Sequence, residues 1–449
     1  MWRKLLSLIF VTILLSVNSW AQADYHISKK LADKVSSEVA STWFELLYDV
    51  VKAEKTTPPA ASRLYGITAV ALYEAIVAGT RENRSLVGQL NGLTAVPQPK
   101  NKKYEWPVVA NATLANVIRG LYPTISTASL AAINSLEQRF ALQFQTSSST
   151  VGYERSVAHG QAVAAAILAW AAGDGFAVNN NCPYTPQPVA GAWRPTPPAF
   201  NPSPLQPCWG QLRPMVLTSG NDCPAPGHPQ FSTDPQSSFY AAALEVYNVG
   251  KNLTAEQKTI ADYWADNAAS TGTPPGHWIA IVSQIARNDG LSLARAAEAY
   301  ARVGIAVHDA FVICWNTKYA TNLERPVTYI NDNIDASWQP YITTPNFPTY
   351  TSGHSTQSGA AATALTDMFG VRSFTDTTHT DHALTPPQQP RTFHSFNEAA
   401  AEAAISRLYG GIHFSFDNND GMGCGQCIGK AIRDKLHFNS SALSDSAEQ

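Results

Sequence analysis

The chain has 449 residues, of which 45% are hydrophobic and 14% are charged, and its formal net charge is −3. This share of apolar residues is enough for a sizeable core, so that composition excludes an intrinsically disordered chain. A slightly negative net charge argues against nucleic acid or an anionic membrane as the general partner.

The first residues have the pattern of a cleaved signal peptide. Two basic residues precede the apolar run 5–15, and the small residues Ser19 and Ala21 come before an expected cleavage at Gln22. The run is too short to span a bilayer comfortably. We therefore expect a mature protein that is exported, periplasmic or secreted, and not inserted in a membrane. An uncleaved anchor is the alternative.

Helical periodicity dominates the rest of the chain. The apolar spacing predicts helices at 31–51, 63–77, 147–172, 237–249, 254–268, 278–287, 291–319, 356–369 and 396–409. Thr254 with Gln257 predicts a capping box at one helix start, and Gly370 predicts a C-cap. Between 173 and 236, proline, glycine and asparagine replace this pattern and predict a long connecting arm without regular helix.

These segments predict an all-α fold of two packed helical bundles, because no alternating β-branched run is long enough for a central sheet. The predicted parts are a signal peptide at 1–21, an N-terminal bundle at 22–172, the arm at 173–236, a C-terminal bundle at 237–440 and a polar tail at 441–449. The sequence at 70–75 resembles that at 305–310, which would fit a duplication.

Six cysteines suit an oxidising compartment without forming a disulfide scaffold. Cys182, Cys208 and Cys223 lie in the arm, and a pair among them is plausible. Cys424 and Cys427 form a C-x-x-C that the neighbouring glycines place in a turn. A zinc site would need a second such pair, so we expect a local disulfide or two free thiols there.

Three short segments in the second half of the chain hold the side chains that one tetrahedral oxyanion would need. They are Lys318 with Arg325-Pro326, then Thr351-Ser352-Gly353-His354, and then Ser406-Arg407 with His413 and Asp417. Arginine offers forked hydrogen bonds, lysine a point charge, and serine with a glycine N–H can donate to the remaining oxygens. Two histidines then remain for chemistry.

Each segment taken alone also has a structural explanation. Lys318 and Arg325 are seven residues apart, which places them on one helix face that could simply be solvated, and Pro326 ends that helix. The Ser-Gly-His sequence could only cap a helix. His413 and Asp417 are four apart, so the carboxylate can hold one ring nitrogen and free the other as a ligand or nucleophile.

Together the segments resemble the signature of the vanadium-dependent haloperoxidase and type 2 phosphatidic acid phosphatase superfamily, which is K-x6-RP, PSGH and SR-x5-H-x3-D. All positions match except Thr351, which replaces the proline of PSGH and lies outside the contacting atoms. Trp315, three residues before Lys318, and Phe347, seven before His354, are similar to residues of the haloperoxidase branch. The spacing of 29 positions from Arg325 to His354 is similar to that of bacterial iodoperoxidases.

The resemblance implies a vanadate cofactor with hydrogen peroxide and a halide as substrates, iodide by default and bromide as the alternative. It implies that His413, held by Asp417, binds vanadium. The oxygens would be held by Lys318, Arg325, Ser352, Gly353 and Arg407. His354 would act as acid and base, Lys318 would polarise the bound peroxide, and Trp315 and Phe347 would line the halide pocket.

Asp309 is expected either to pair with one of the site arginines or to be a capped polar core residue. Two other functions remain open. A secreted acid phosphatase would use His413 as nucleophile and His354 to protonate the leaving group. A non-catalytic oxyanion-binding protein would use the cations alone. The sequence does not determine the natural organic acceptor or the oligomeric state.

Overall fold

A computed structural model describes residues 31–100, 102–145, 149–185 and 187–439. The predicted signal peptide and the predicted polar tail lie outside the described residues. Within those ranges, no helix has both the length and the hydropathy that crossing a bilayer would require.

Helices form most of the described structure. The first half contains α1 (Glu38–Ala53), α2 (Pro58–Ile76), α3 (Trp106–Leu121), α4 (Thr127–Gln145), α5 (Thr150–Ala172) and the short α6 (Phe176–Asn179). The second half contains α7 (Ser238–Lys251), α8 (Ala255–Tyr263), α9 (Thr273–Asn288), α10 (Leu293–Thr321), α11 (Pro326–Asn333), α12 (Gly353–Phe369), α13 (Thr378–Asp381), α14 (Phe396–Tyr409) and α15 (Ser415–Lys435). Short 3₁₀ segments lie at Ala32–Lys34, Val77–Gly79 and Trp209–Gln211.

The mostly helical prediction is confirmed, although some elements were missed. The capping box of Thr254 and Gln257 starts α8, and Gly370 follows the end of α12. The helices α3, α4, α6, α11, α13 and α15 have no predicted counterpart. A small antiparallel pair, β1 (Phe374–Asp376) and β2 (Arg391–Phe393), was also not predicted, because three-residue strands carry almost no periodic signal.

The core is continuous between the two predicted bundles. The helix α10 is buried along nearly its whole length and packs against α2, α9, α12 and α15. Leu72 of α2 and Ile305 of α10 belong to one cluster of buried apolar side chains. The two segments with similar sequence, 70–75 and 305–310, therefore lie on helices that pack directly against each other.

Among its described residues, the segment predicted as an arm contains only α6 and one 3₁₀ turn as regular helix. Trp209 and Leu212 pack against Phe311 and Trp315 of α10, so that this part of the arm is attached to the core. Residues 209–212 therefore cover one end of α10, and other described side chains of this segment line the same cavity as the motif residues.

The cysteines pair partly as expected. Cys182 is bonded to Cys208 within the arm. The expectation of a local arrangement at the C-x-x-C is wrong, because Cys427 lies on α15 and is bonded to Cys223 of the arm. Cys424, one helical turn away, points into the core as a buried thiol.

Candidate active site

The three motif segments meet at the ends of five helices. Lys318 lies in the last turn of α10, and Arg325 is the residue immediately before α11. The N-cap of α12 is Ser352, and Arg407 lies in the last turn of α14. His413 lies in the turn that leads into α15. All five side chains are buried.

The expectation that Lys318 and Arg325 share one helix is wrong. The helix α10 ends at Thr321, because Asn322 adopts a left-handed conformation with φ 51° and its N–H donates to the Lys318 carbonyl at 2.8 Å. Arg325 is extended, as expected for a residue before proline, and Pro326 begins the next helix. Two helix ends thus bring both cations to the same site.

His413 is held in one tautomer. Its Nδ1 lies 2.8 Å from Asp417 Oδ2, and the Phe414 N–H donates to the same oxygen at 3.1 Å. Arg325 Nη1 lies 3.1 Å from His413 Nε2 and can only donate. The Nδ1 nitrogen therefore carries the proton, and Nε2 has a lone pair available to a metal or an electrophile.

Sequence reasoning missed Thr349, which is fully buried beside this pair. Its hydroxyl donates to Asp417 Oδ2 and lies 3.1 Å from His413 Nδ1. These contacts join residues more than sixty positions apart, so no local spacing rule could have found them. Thr349 gives the buried carboxylate a neutral donor in addition to the histidine.

Lys318 is oriented by backbone and aromatic groups. Its Nζ donates to the carbonyls of Pro348 at 3.0 Å and Thr349 at 2.8 Å. An ammonium has three donors, so one remains for a ligand. The same nitrogen lies 5.7 Å from the ring centroid of Trp315 and 5.1 Å from that of Phe347, which favours its positive charge.

The site concentrates positive charge in a buried place. Burial lowers the pKa of Lys318, and the nearby Arg325 lowers it further. Burial likewise lowers the pKa of Arg325 to about 9 and that of Arg407 to about 10. Burial raises the pKa of Asp417, so this carboxyl is a weak counter-charge. A bound anion would relieve this electrostatic cost.

The donor groups fit a tetrahedral oxyanion. Among the described residues, the buried atoms without a hydrogen-bond partner include Arg325 Nη2, Arg407 Nε and His354 Nε2. Such orphaned groups cost free energy unless a ligand pairs with them. The first N–H groups of α12, beginning at Gly353, and the Ser352 hydroxyl at its N-cap lie at the same place, where a helix N-terminus favours an anion.

His354 lies beside these donors at the base of a cavity. The pKa of His354 lies well below its ordinary value because the ring is buried, and the charge of Arg407 lowers it further. The Trp264 backbone acts in the opposite direction and raises this pKa, although less than burial lowers it. The ring is therefore neutral near pH 7, and its unpartnered nitrogen is available to take up a proton.

We call the proposed oxyanion-binding residues the cradle: Lys318, Arg325, Ser352, Gly353, Arg407 and His413. A cavity with a volume of about 870 Å³ leads from the cradle to the surface. Its base contains Gly353, His354, Arg407 and His413, and its mouth is formed by 55–60 of the N-terminal helices, by 201–207 of the arm and by 265–268. The structure thus places the motif residues together, although three other parts of the chain complete the cavity.

The two predicted halide-pocket residues form one apolar wall of this cavity. The ring centroids of Trp315 and Phe347 are 5.0 Å apart, with an angle of 47° between the planes. Trp315 is fixed by a hydrogen bond from its indole nitrogen to the Leu205 carbonyl at 3.2 Å. Arg325 lies over the Phe347 ring at 4.7 Å, so cations surround the apolar wall.

Asp309 does not pair with a site arginine. Its carboxylate accepts the backbone N–H groups of Met215 at 2.6 Å, Val216 at 3.0 Å and Leu217 at 3.0 Å. These donors satisfy a carboxylate that α10 buries completely, and they attach the arm to that helix. The alternative expectation of a capped polar core residue is the one that agrees with the structure.

Comparisons with known proteins agree with this geometry. The family model described as "VCPO second helical-bundle domain" matches residues 298–440, which include all three motif segments. The vanadium chloroperoxidase of Curvularia inaequalis is 27% identical over 213 residues, which are 34% of this chain. The match spans about a third of that curated relative, 35% of its length.

Solved structures extend the similarity to nearly the whole chain. A bacterial vanadium-dependent chloroperoxidase in its holo form is 15% identical with a TM-score of 0.64, covering 85% of this chain and 93% of that one, and has the same fold. A bacterial vanadium-dependent iodoperoxidase is 35% identical with a TM-score of 0.84, covering 90% of this chain and 98% of the other. At this identity and coverage, the chain belongs to the bacterial vanadium-dependent haloperoxidase family.

Proposed function

We propose that this protein is a vanadate-dependent haloperoxidase with iodide as its preferred halide and bromide as the alternative. The net reaction consumes hydrogen peroxide, one halide and one proton and yields hypohalous acid and water. The observation that carries the proposal is the unprotonated Nε2 of His413, which lies among buried cations whose N–H groups lack partners. The choice of iodide is supported by the similarity to a bacterial iodoperoxidase.

The proposed holder of the metal is His413, through the lone pair of Nε2. The proposed donors to the oxygens of the anion are Lys318, Arg325, Ser352, Gly353 and Arg407. Bound vanadate would supply a Lewis-acid centre that activates hydrogen peroxide without a change in its own oxidation state. Asp417 keeps the proton on His413 Nδ1 and so keeps Nε2 available.

His354 is the proposed acid and base. In its neutral form, the unpartnered Nε2 accepts a proton from hydrogen peroxide and can return it to the oxygen that leaves as water. Lys318 places a positive charge beside the same oxygens and makes them better acceptors of electrons from the halide. The carbonyls of Pro348 and Thr349 hold this ammonium in place.

Trp315 and Phe347 are the proposed wall of the halide site. Moving an ion from water to an apolar wall costs its hydration free energy, and this cost is smallest for a large, weakly hydrated ion. Lys318 and Arg325 lie over the Phe347 ring at 5.1 Å and 4.7 Å and attract the anion. This arrangement favours iodide over bromide and chloride.

The predicted organisation and location are part of the same proposal. We take 1–21 as an export signal, 22–172 as an N-terminal bundle, 173–236 as the arm and 237–440 as the C-terminal bundle that holds the active site. The position of every cradle residue between 318 and 417 supports this last assignment. The two disulfides support an oxidising compartment, either the periplasm or the exterior.

The test is a halide series on recombinant protein reconstituted with orthovanadate. We expect peroxide-dependent turnover in the order iodide, bromide, chloride. His413→Ala should lose its vanadium, as measured by elemental analysis. Its activity should fall more than about 100-fold, because losing a metal ligand has a larger effect than losing a residue that only hydrogen-bonds to a ligand. His159→Ala is the control, because this histidine is also buried but lies on α5 outside the cavity.

The same preparation separates the alternatives. A phosphatase would hydrolyse p-nitrophenyl phosphate, would be inhibited by vanadate and would not oxidise iodide. A non-catalytic protein would bind the anion and turn over neither substrate. Full iodide oxidation by His413→Ala would contradict the proposed ligand.

A further inference from the structure

A buried charged histidine lies behind the cavity wall. His277 is completely buried, with Nδ1 3.0 Å from Asp266 Oδ2 and Nε2 2.6 Å from Asp376 Oδ2. Because each ring nitrogen faces a carboxylate, each carries a proton, and the ring is an imidazolium between two anions. We call Asp266, His277 and Asp376 the Asp–His–Asp clamp.

The clamp is fixed at the end that is remote from the cavity. Asp376 ends β1, and its Oδ1 accepts the backbone N–H of Thr378 at 2.9 Å and the side chain of Gln284 at 3.3 Å. Burial opposes the charge on the ring, but Asp266 and Asp376 outweigh it and raise the pKa of His277 to about 10. The imidazolium is therefore a permanent link between α9, β1 and the loop that contains Asp266.

The other end of the clamp belongs to the active-site wall. Asp266 lies in the cavity-lining segment 265–268 and has a left-handed backbone with φ 46°, so its position depends on its contacts. Trp264, two residues earlier, stacks on the His277 ring with centroids 4.4 Å apart and planes at 21°. The clamp thus sets both the position of this loop and the orientation of its backbone.

One backbone carbonyl connects the loop to the chemistry. Arg407 Nη1 donates to the Trp264 carbonyl at 2.8 Å, and the same backbone group raises the pKa of His354, although less than burial lowers it. The charge of Asp266 also favours the protonated form of Arg407. The Trp264 carbonyl therefore holds the proposed oxyanion donor and acts on the proposed acid–base residue, and it lies on a loop held by His277.

We propose that His277 is a positioning residue: held between Asp266 and Asp376, it fixes the Trp264 carbonyl and, through it, the orientation of Arg407 towards the anion beside His354. This inference rests on the proposed function only in its choice of vanadate as the ligand. The role is independent of proton transfer by His277, because the ring donates to both carboxylates and does not line the cavity.

The decisive variant is Asp376→Asn, since Asp376 does not line the cavity and is separated from it by His277. We expect the dissociation constant of orthovanadate for the apo-protein, measured by titration calorimetry, to increase about 10-fold, the lower range for loss of an outer partner. His277→Gln should give the same result. In the reconstituted protein, both variants should raise the KM for peroxide more than they lower kcat.

The control is His379→Gln. His379 is also buried, stacks on Tyr263 at 4.6 Å and has its Nε2 2.9 Å from the Tyr263 carbonyl, but no carboxylate contact is described for it. Its vanadate affinity should equal that of the wild type. A lower melting temperature with unchanged vanadate affinity in Asp376→Asn and His277→Gln would mean that the clamp only stabilises the fold, and would overturn the proposal.

Two further measurements keep the outcomes distinct. If neither variant folds, Asp266→Asn tests the same link from the cavity side and should weaken vanadate binding to a similar degree. Inorganic phosphate, titrated in parallel, measures the affinity of the cradle for a tetrahedral anion without any oxidation chemistry. Wild-type protein that binds phosphate but never oxidises iodide would contradict the proposed function, whereas the effect of the clamp on phosphate binding would still decide this inference.

Discussion

Thr349 forms a hydrogen-bonded network with His413, the proposed vanadium ligand, and Asp417. The Asp417 carboxylate has no exposure to solvent and accepts from His413, Phe414 and Thr349. Without the hydroxyl, a buried carboxylate would keep fewer donors and hold the histidine less firmly. We expect Thr349→Val to weaken orthovanadate binding about 10-fold, measured by calorimetry on the apo-protein.

The matched control for this change is Thr344→Val. Thr344 is also buried, but its hydroxyl has no hydrogen-bond partner among the described residues, so valine should be neutral or slightly stabilising. Vanadate affinity should not change in this variant. Equal orthovanadate affinities of Thr349→Val and the wild type would show that the Thr349 hydroxyl does not help His413 to bind vanadate.

Glu324, next to Arg325 in sequence, makes stability depend on pH. Burial raises the pKa of this carboxyl to about 7, against an ordinary value of 4.5. The folded state then binds the proton of Glu324 more tightly than the unfolded state. Ionisation of this carboxyl therefore lowers the free energy of unfolding. The loss is absent below pH 4.5, grows as the pH rises towards 7 and is complete above it. The full loss is up to about 3 kcal/mol at the conversion of 1.36 kcal/mol per pKa unit.

Glu324→Gln should therefore be more stable than the wild type at pH 8 and equal to it at pH 4.5. Urea unfolding at both pH values measures the difference in the free energy of unfolding. The opposite sign, with the variant destabilised at pH 8, would mean that the ionised carboxylate has a favourable partner and that its pKa is lowered on folding.

The sequence predicted the residues of the site better than the contacts between them. His413 and Asp417 lie in one short segment, so their spacing was informative. The contact of Thr349 with Asp417 and that of His277 with Asp376 span 68 and 99 positions, and only tertiary packing creates them. Asp309 shows the reverse case, since its neighbours in sequence suggested the site but its buried carboxylate accepts from the backbone of the arm.

At the scale of elements, α15 was missed because it contains glycines that usually indicate turns. These glycines allow α15 to lie close against α12, where a Cβ at Gly425 would collide with the Thr356 carbonyl oxygen. Whether glycines mark a turn or a close helix contact depends on the helix that packs against them, and the sequence alone does not reveal that neighbour. The helices with a clear apolar stripe, such as α1 and α9, were easier to predict.

The arm is held by two disulfides of very different span. Cys223–Cys427 has a sequence separation of 204 residues and joins the arm to α15, whereas Cys182–Cys208 has a separation of 26. The chain-entropy relation gives about 5 kcal/mol for the first and about 3.5 kcal/mol for the second. We therefore expect a double serine variant at Cys223 and Cys427 to lose more free energy of unfolding than a double serine variant at Cys182 and Cys208.

The two serine variants should differ in the opposite way in catalysis. Cys182 lines the cavity, as do the arm residues next to Cys208, so loss of this bond should raise the KM for halide or peroxide. Loss of the long bond should leave both KM values close to those of the wild type. Urea unfolding and steady-state kinetics on the same two proteins check the pair, and equal kinetics would show that the short bond does not shape the cavity.

At the scale of the whole molecule, α2 and α10 cross at two glycines that face each other. A Cβ at Gly304 would lie 2.9 Å from the Ala69 Cβ and 3.1 Å from the Gly66 Cα, both closer than ordinary contacts. This crossing joins the two predicted bundles into one core, and α10 continues from it to Lys318. The sequence similarity between the two helices would fit a duplication, but it did not predict that they touch.

Gly304→Ala should therefore separate the two helices and destabilise the entire fold. The clash involves backbone and Cβ atoms that cannot rotate away, so the cost should exceed the gain in helix propensity and amount to about 1–3 kcal/mol. Gly423→Ala is the matched control, because Gly423 also lies inside a helix and has nothing within 4 Å of an added Cβ. It should stabilise by about 0.5–1 kcal/mol. Thermal unfolding of both variants gives opposite shifts if the crossing holds the halves together, and a stabilised Gly304→Ala would show that the helices can move apart without cost.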